Sequence, residues 1–191
     1  MKLWLKVRAA GFLALITTIT AVGTAICRDR TLPVPNLVGT ALVPVPLEFL
    51  PPLGIALALA RALPNSEVSI ERAATRRIRL LDATYVWATC VAMLALCVTG
   101  TWIFGPGVLA TGRNGLGYVG LALIGRALVG ASAAGSLPAT YLVVASLVRP
   151  AAGVWAQTWG WALAPHDSLP SWLCALGLTL VGCTIGIRAR G

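Results

Sequence analysis

The sequence predicts an all-α, polytopic integral membrane protein. It should have about six transmembrane helices, an N-terminal amphipathic helix and a re-entrant segment before the last span. Three observations predict it. Of 191 residues, 58% are hydrophobic and only 11% are charged, against about 25% charged in soluble domains. Mean hydropathy is +0.84, which also excludes disorder, since disorder needs low hydrophobicity and high charge. Apolar runs recur along the chain near the roughly 20 residues that a helical span uses. The basic residues sit mostly between those runs and at the two ends.

The elements follow in order. Met1–Gly11 alternates Lys2, Lys6 and Arg8 with Leu3, Trp4, Leu5 and Val7, the pattern of a short basic helix lying at headgroups. The run Phe12–Ile26 follows. With its basic start and the small residues Gly23 and Ala25 it also resembles a signal peptide, but Ile26 spoils the lipoprotein-type box before Cys27. An uncleaved first span is the preferred reading. Arg28, Asp29, Arg30, Pro33 and Pro35 read as a short loop. The second run, Leu37–Ala60, contains Pro44, Pro46, Pro51, Pro52 and Glu48. Proline removes a backbone donor and breaks regular helix, so a broken or kinked second span is expected.

Residues 61–83 form the one long hydrophilic stretch. Its acids Glu67 and Glu71 come early and Arg72, Arg76, Arg77 and Arg79 come later, an order that suits a helix macrodipole. Ile70, Ala73, Ala74, Ile78 and Leu81 recur at helical spacing. This is an amphipathic cytoplasmic helix within a single transmembrane domain of residues 1–191, and it runs into the third span, Thr84–Phe104. Tyr85, Trp87 and Trp102 mark that span's two ends as an aromatic belt. After a Gly/Pro loop the fourth span runs Leu116–Ala134, with Arg126 inside it. The fifth, Ala139–Val148, is short. Trp155, Trp159 and Trp161 suit a re-entrant helix over Val154–Leu163. Pro165–Ser168 is a polar turn, and Trp172–Ile187 is the last span.

The formal charge is +9. In a soluble chain that would raise nucleic acid as a partner. Here its distribution is that of the positive-inside rule, so lipid is the expected partner and nucleic acid is not. Both termini and the 61–83 helix are placed on the cytoplasmic side of a bacterial cytoplasmic membrane. Whether the fourth and fifth runs are separate stays open, because no charge divides them.

Few residues could carry chemistry. The only lysines are Lys2 and Lys6, so no Walker loop exists. A single histidine, His166, excludes motifs needing two, and no C-x-x-C pair is present among the five cysteines. No cofactor and no metal are expected. Ser132 in Gly130–Ala133, with His166, faintly resembles the G-x-S of intramembrane serine proteases; close packing of small residues explains that stretch more simply. Glu48 and Arg126 are ionisable groups inside apolar runs, which usually face a cavity or a partner. They could pair with one another or act separately.

Two stretches carry a family resemblance. Glu71-Arg72-Ala73-Ala74 with Arg79-Leu80-Leu81-Asp82, and Arg113-Asn114-x-x-Gly117-x-x-Gly120-Leu121-Ala122-Leu123, resemble small permease-like membrane subunits of actinobacterial type-2 ABC exporters. The amphipathic start, the cytoplasmic helix and the Trp-rich re-entrant segment agree in layout. The resemblance implies that the first cytoplasmic helix docks a separate ATPase chain through Glu71, Arg72, Arg76, Arg77, Arg79 and Asp82. It also implies a second membrane subunit, the same chain or a different one. The expected function is thus the membrane-spanning, non-ATPase subunit of an exporter, not an enzyme in itself. The alternative is a non-transporting membrane scaffold or immunity-type protein that uses the same helix for another partner.

Overall fold

The computed structural model describes residues 10–28, 30–37, 42–63, 75–130, 133–148 and 153–188. The N-terminal basic helix, Glu67, Glu71, Arg72 and Ser132 lie outside them. The described chain is an all-α bundle of seven helices with one small hairpin. Helix α1 (Ala10–Cys27) leads into strands β1 (Thr31–Pro35) and β2 (Leu42–Pro46) and a 3-10 turn, Leu47–Phe49. Then come α2 (Pro51–Ala62), α3 (Thr75–Phe104), α4 (Val108–Val129) and α5 (Ser136–Leu147). The chain closes with α6 (Val154–Trp159), a 3-10 turn at Trp161–Leu163, and α7 (Leu169–Arg188).

The hairpin corrects the expected loop at Pro33/Pro35 and half of the expected second span. Its antiparallel register sets Pro33 against Pro44 and Thr31 against Pro46. All four prolines therefore fall on alternate pairs of the ladder, where backbone N–H groups point away from the partner. The Leu47 N–H donates to the Arg30 carbonyl at 2.9 Å, which puts the bonded pairs on the other parity. Proline thus costs this hairpin no ladder bond. Helix can start only at Pro51 and Pro52, which occupy the first turn of α2, where no N–H partner is needed. The result is a 12-residue helix, about 18 Å long at 1.5 Å per residue.

Helices α1 to α5 alternate in direction along the chain. Gly23 of α1 lies beside Pro51 and Gly54 of α2 lies beside Thr20, so these two are antiparallel. Gly112 of α4 meets Cys97 and Gly115 meets Met93, so α3 and α4 are antiparallel. Pro52 is near Gly115, and Arg126 reaches the Ala60 carbonyl, so α2 and α4 run parallel. Gly120 sits on Leu178 and Thr179, and Gly186 near Leu123, so α4 and α7 are parallel as well. Leu137 at the start of α5 lies beside Gly125, near the end of α4. The fourth and fifth runs are therefore separate helices, with the turn at Gly130 (φ +101°). The start of α1, the end of α2, the start of α3 and the end of α7 share one end of the bundle, here called the basal end. The hairpin and the 165–168 turn share the other, apical end.

Helix α4 is the axis of the fold. Every residue from Ala110 to Gly120 is buried. On α3, Val86, Cys90, Met93 and Cys97 are buried at helical spacing, whereas Val91, Leu96, Val98 and Trp102 are exposed, Trp102 at 90%. On α7, Leu173, Leu180 and Val181 are exposed while Ser171 and Thr179 are fully buried. Large apolar side chains are therefore exposed as well as buried, and some polar ones lie fully inside. Among the described residues two helical stretches are long and apolar enough to cross a membrane, Leu81–Phe104 and Leu169–Gly186. Helices α2 and α5, at 12 residues each, are shorter than the roughly 20 residues of a full span.

Candidate functional site

The chain between α6 and α7 is mostly not helical, so its carbonyls lack intrahelical donors. Side chains from three helices replace those donors one by one. From α4, Asn114 Nδ2 donates to the Ala162 carbonyl at 2.7 Å. Arg113 donates through Nη2 to Ala164 and through Nη1 to Pro165, both at 2.8 Å. Arg113 Nε and Nη2 also donate to Asn114 Oδ1 at 3.2 and 3.1 Å, which orients the amide so that its NH2 points at Ala162. From α5, the Tyr141 hydroxyl donates to Trp159 at 2.7 Å. From α7, Ser171 Oγ donates to Gln157 and Trp172 Nε1 to His166, each at 2.8 Å. Six carbonyls between Gln157 and His166 are held this way. A buried polar group left unpaired is costly, and at membrane depth no water would replace these donors.

Arg113 is 0% exposed. None of its acceptors is a carboxylate; it is solvated by carbonyl and amide oxygens. The planar fork of guanidinium suits this task, because it reaches two successive carbonyls at once, which an ammonium cannot.

Glycines let the segment seat. A Cβ on Gly117 would come within 2.5 Å of Trp161 Cζ3, so the buried indole needs the missing side chain. Trp161 in turn stacks on Tyr141 with centroids 5.2 Å apart and lies 5.6 Å from Tyr118. One turn along, a Cβ on Gly120 would meet Leu178 O at 2.5 Å, and one on Gly182 would meet Gly120 O at 2.5 Å. Here backbone packs on backbone, and Thr179 Oγ1 donates to the Leu116 carbonyl at 2.9 Å across the contact. Tyr118 Oη is buried without a hydrogen-bond partner.

A cavity of about 100 Å³ opens near the apical end between α1, α2, α3 and α4. Its walls are mainly apolar, with Met93, Leu96 and Cys97 from α3 and Ile55 from α2. Threonines 17, 20 and 24 of α1 and Thr111 of α4 also line it, as do Arg28 and Glu48. The Arg28 guanidinium carbon sits 6.0 Å from the Phe104 ring centroid.

The structure separates Glu48 from Arg126. Glu48 lines the apical cavity, just before α2 begins. Arg126 Nη1 donates to Ala60 O at 2.6 Å, near the end of that helix. The intervening turns put them more than about 13 Å apart, so they do not pair. Of the docking set, Arg76, Arg77 and Arg79 fall in the first two turns of α3 at the basal end. Asp82 is buried at 5% exposure, so it belongs to the packing of α3. His166 lies in the apical turn, while Gly130, the last described residue before Ser132, is at the basal end of α4. Among the described residues no group of three His, Cys, Asp or Glu side chains converges on a possible metal position, and all five cysteines are free.

Sequence reasoning singled out Arg113-Asn114 with Gly117 and Gly120 only through resemblance. It missed their work on the carbonyls of the 157–166 segment and missed Tyr141, Ser171, Trp172 and Thr111. A buried arginine followed by an asparagine in a glycine-rich helix was the available signal. Comparison with protein-family models, with curated proteins and with solved structures finds no match.

Proposed function

We propose that the protein is a membrane-embedded bundle serving as the non-ATPase, membrane-spanning subunit of an ABC-type exporter in a bacterial cytoplasmic membrane. The observation that carries the reading is α3. It is one uninterrupted 30-residue helix, about 45 Å long. Its first turns hold Arg76, Arg77 and Arg79, and its last third walls the apical cavity. A displacement applied at its base by a docked ATPase is delivered to that cavity by a rigid element.

Three further features support membrane embedding. Many large apolar side chains face outward while Arg113, Asn114 and several threonines are buried beside the apolar core, and contiguous exposed apolar surface of this kind is rare on a water-soluble protein. The broken segment has its carbonyls satisfied by side chains, as irregular backbone in a bilayer requires. The alternating directions bring the start of α1, the arginine-bearing start of α3 and the end of α7 to one end, which the positive-inside rule makes cytoplasmic. In lipid the apolar faces gain little by meeting each other, so close glycine contacts and interhelical hydrogen bonds hold the bundle. A second membrane subunit would complete a translocation path.

The test is mild-detergent purification of the tagged chain from its own membrane, with mass spectrometry of companions. A co-purifying chain with a Walker lysine that is lost in R76E/R77E, while the thermal melt is kept, is the expected result. Reproducible absence of any ATPase from well-folded protein overturns the exporter reading and leaves the scaffold or immunity-type one.

A further inference from the structure

We infer that the apical cavity is a binding site for a small neutral amphiphile, an apolar ring or short chain bearing one hydroxyl or carbonyl oxygen. The inference rests on the membrane reading above for its access route but not on the ATPase. Thr111 is the anchor. It is 5% exposed and lines the cavity, and its Oγ1 has no hydrogen-bond partner. The other lining threonines are engaged. Thr20 donates to the Pro51 carbonyl at 3.3 Å and Thr24 to the Thr20 carbonyl at 2.9 Å, and Thr17 also has an interaction of its own. A buried hydroxyl without a partner is costly, and a ligand oxygen would supply the partner.

The chemistry of the walls narrows the ligand. The cavity approaches the size of apolar cavities that take a benzene ring, about 150 Å³. Met93, Leu96 and Ile55 suit an apolar body. A charged head would have to shed its water to reach Thr111, and the two charged side chains on the lining, Arg28 and Glu48, already have interactions within the fold. The polar head is therefore neutral. The access route is lateral. Helix α1 packs on α2 and not closely on α3, and the lining residues Ala21, Ala25 and Leu96 on either side of that gap are exposed. An amphiphile dissolved in the bilayer can enter there with its tail still in lipid.

The test uses the full chain in phospholipid nanodiscs and two photoactivatable alkyl diazirines of equal length, one ending in a primary alcohol and one in a methyl group. The expected result is saturable labelling of Met93–Cys97 and Thr20–Thr24 by the alcohol probe, displaced by excess octanol. The methyl probe and the isosteric T111V variant should each need about five- to tenfold more probe for half-saturation, the worth of one buried hydrogen bond. Ala21→Phe fills the rim from an exposed position and should abolish saturable labelling, which keeps the test alive if T111V folds poorly. Equal labelling by both probes overturns the inference. So does labelling that never saturates and spreads over lipid-facing Val91, Val98 and Leu173. If the chain fails to enter nanodiscs, the membrane reading falls; the same labelling is then read in detergent micelles, where each outcome keeps its meaning.

Discussion

Replacing Arg113 by methionine keeps the length of the side chain and removes its charge and its donors. The Ala164 carbonyl then loses its Arg113 partner and the Pro165 carbonyl keeps only the Ser168 N–H at 3.2 Å, in a site where Arg113 itself is fully buried. Hydrogen bonds to a charged group contribute about 1.5–3 kcal/mol each, so the two together amount to roughly 3–6 kcal/mol. An ordinary interhelical bond in a membrane protein averages about 0.6 kcal/mol, which would make the pair worth only about 1.2 kcal/mol. The larger figure applies because these bonds are charge-assisted and Arg113 itself is buried away from solvent. Domain stabilities run at about 5–15 kcal/mol, so R113M should lose a large share of its resistance to unfolding. R113K keeps the charge but cannot fork across two carbonyls, and should lose about half as much. The assay is denaturant unfolding in mixed micelles together with hydrogen exchange over residues 157–166. Local opening should appear there first, since the segment is held by these side chains. A loss under about 1 kcal/mol in R113M, with exchange over 157–166 unchanged, would refute the claim that Arg113 holds the 157–166 segment.

Three other outcomes follow from the same geometry. Gly120→Ala should destabilise by about 1–3 kcal/mol or more, because its Cβ meets the backbone of Leu178; Gly177→Ala, with nothing within 4 Å, should be neutral or gain up to about 1 kcal/mol from helix propensity. Paired thermal melts in detergent compare them. Tyr118→Phe should cost less than about 0.5 kcal/mol or stabilise, since the hydroxyl it removes has no partner; Tyr141→Phe, which frees the Trp159 carbonyl, should cost about 1 kcal/mol or more by the same melt. Cys27 is half-exposed at the apical end of α1. A membrane-impermeant maleimide should label it in intact cells, and labelling only after lysis would reverse the assigned orientation.

Particular residues show how far the sequence could be read. The apolar runs at Thr84–Phe104 and Trp172–Ile187 became α3 and α7 because long stretches of one character have one helical solution. Pro51 and Pro52 were legible as a break, since proline's missing donor acts locally. The hairpin was not legible. Pro33, Pro35, Pro44 and Pro46 argue against strand until their shared parity is known, and parity belongs to the pairing of two segments. The Trp-rich segment could be recognised from its composition as a broken stretch before the last helix. What holds it could not, because Asn114, Tyr141 and Ser171 lie 48, 18 and 14 positions from their acceptors.

By itself the sequence determined the class of chain: too apolar and too sparsely charged for an ordinary soluble domain, helical, and basic mainly at the ends and in one loop. Those properties are sums over residues and need no partner. Only the tertiary structure decided that Glu48 and Arg126 sit at opposite ends, that Arg113 solvates carbonyls instead of facing an acid, and that Thr111 is left without a partner beside a cavity. Each of these depends on which distant segments meet. The close approach that brings them together runs through Gly117, Gly120 and Gly182, whose meaning lies in the side chain they lack.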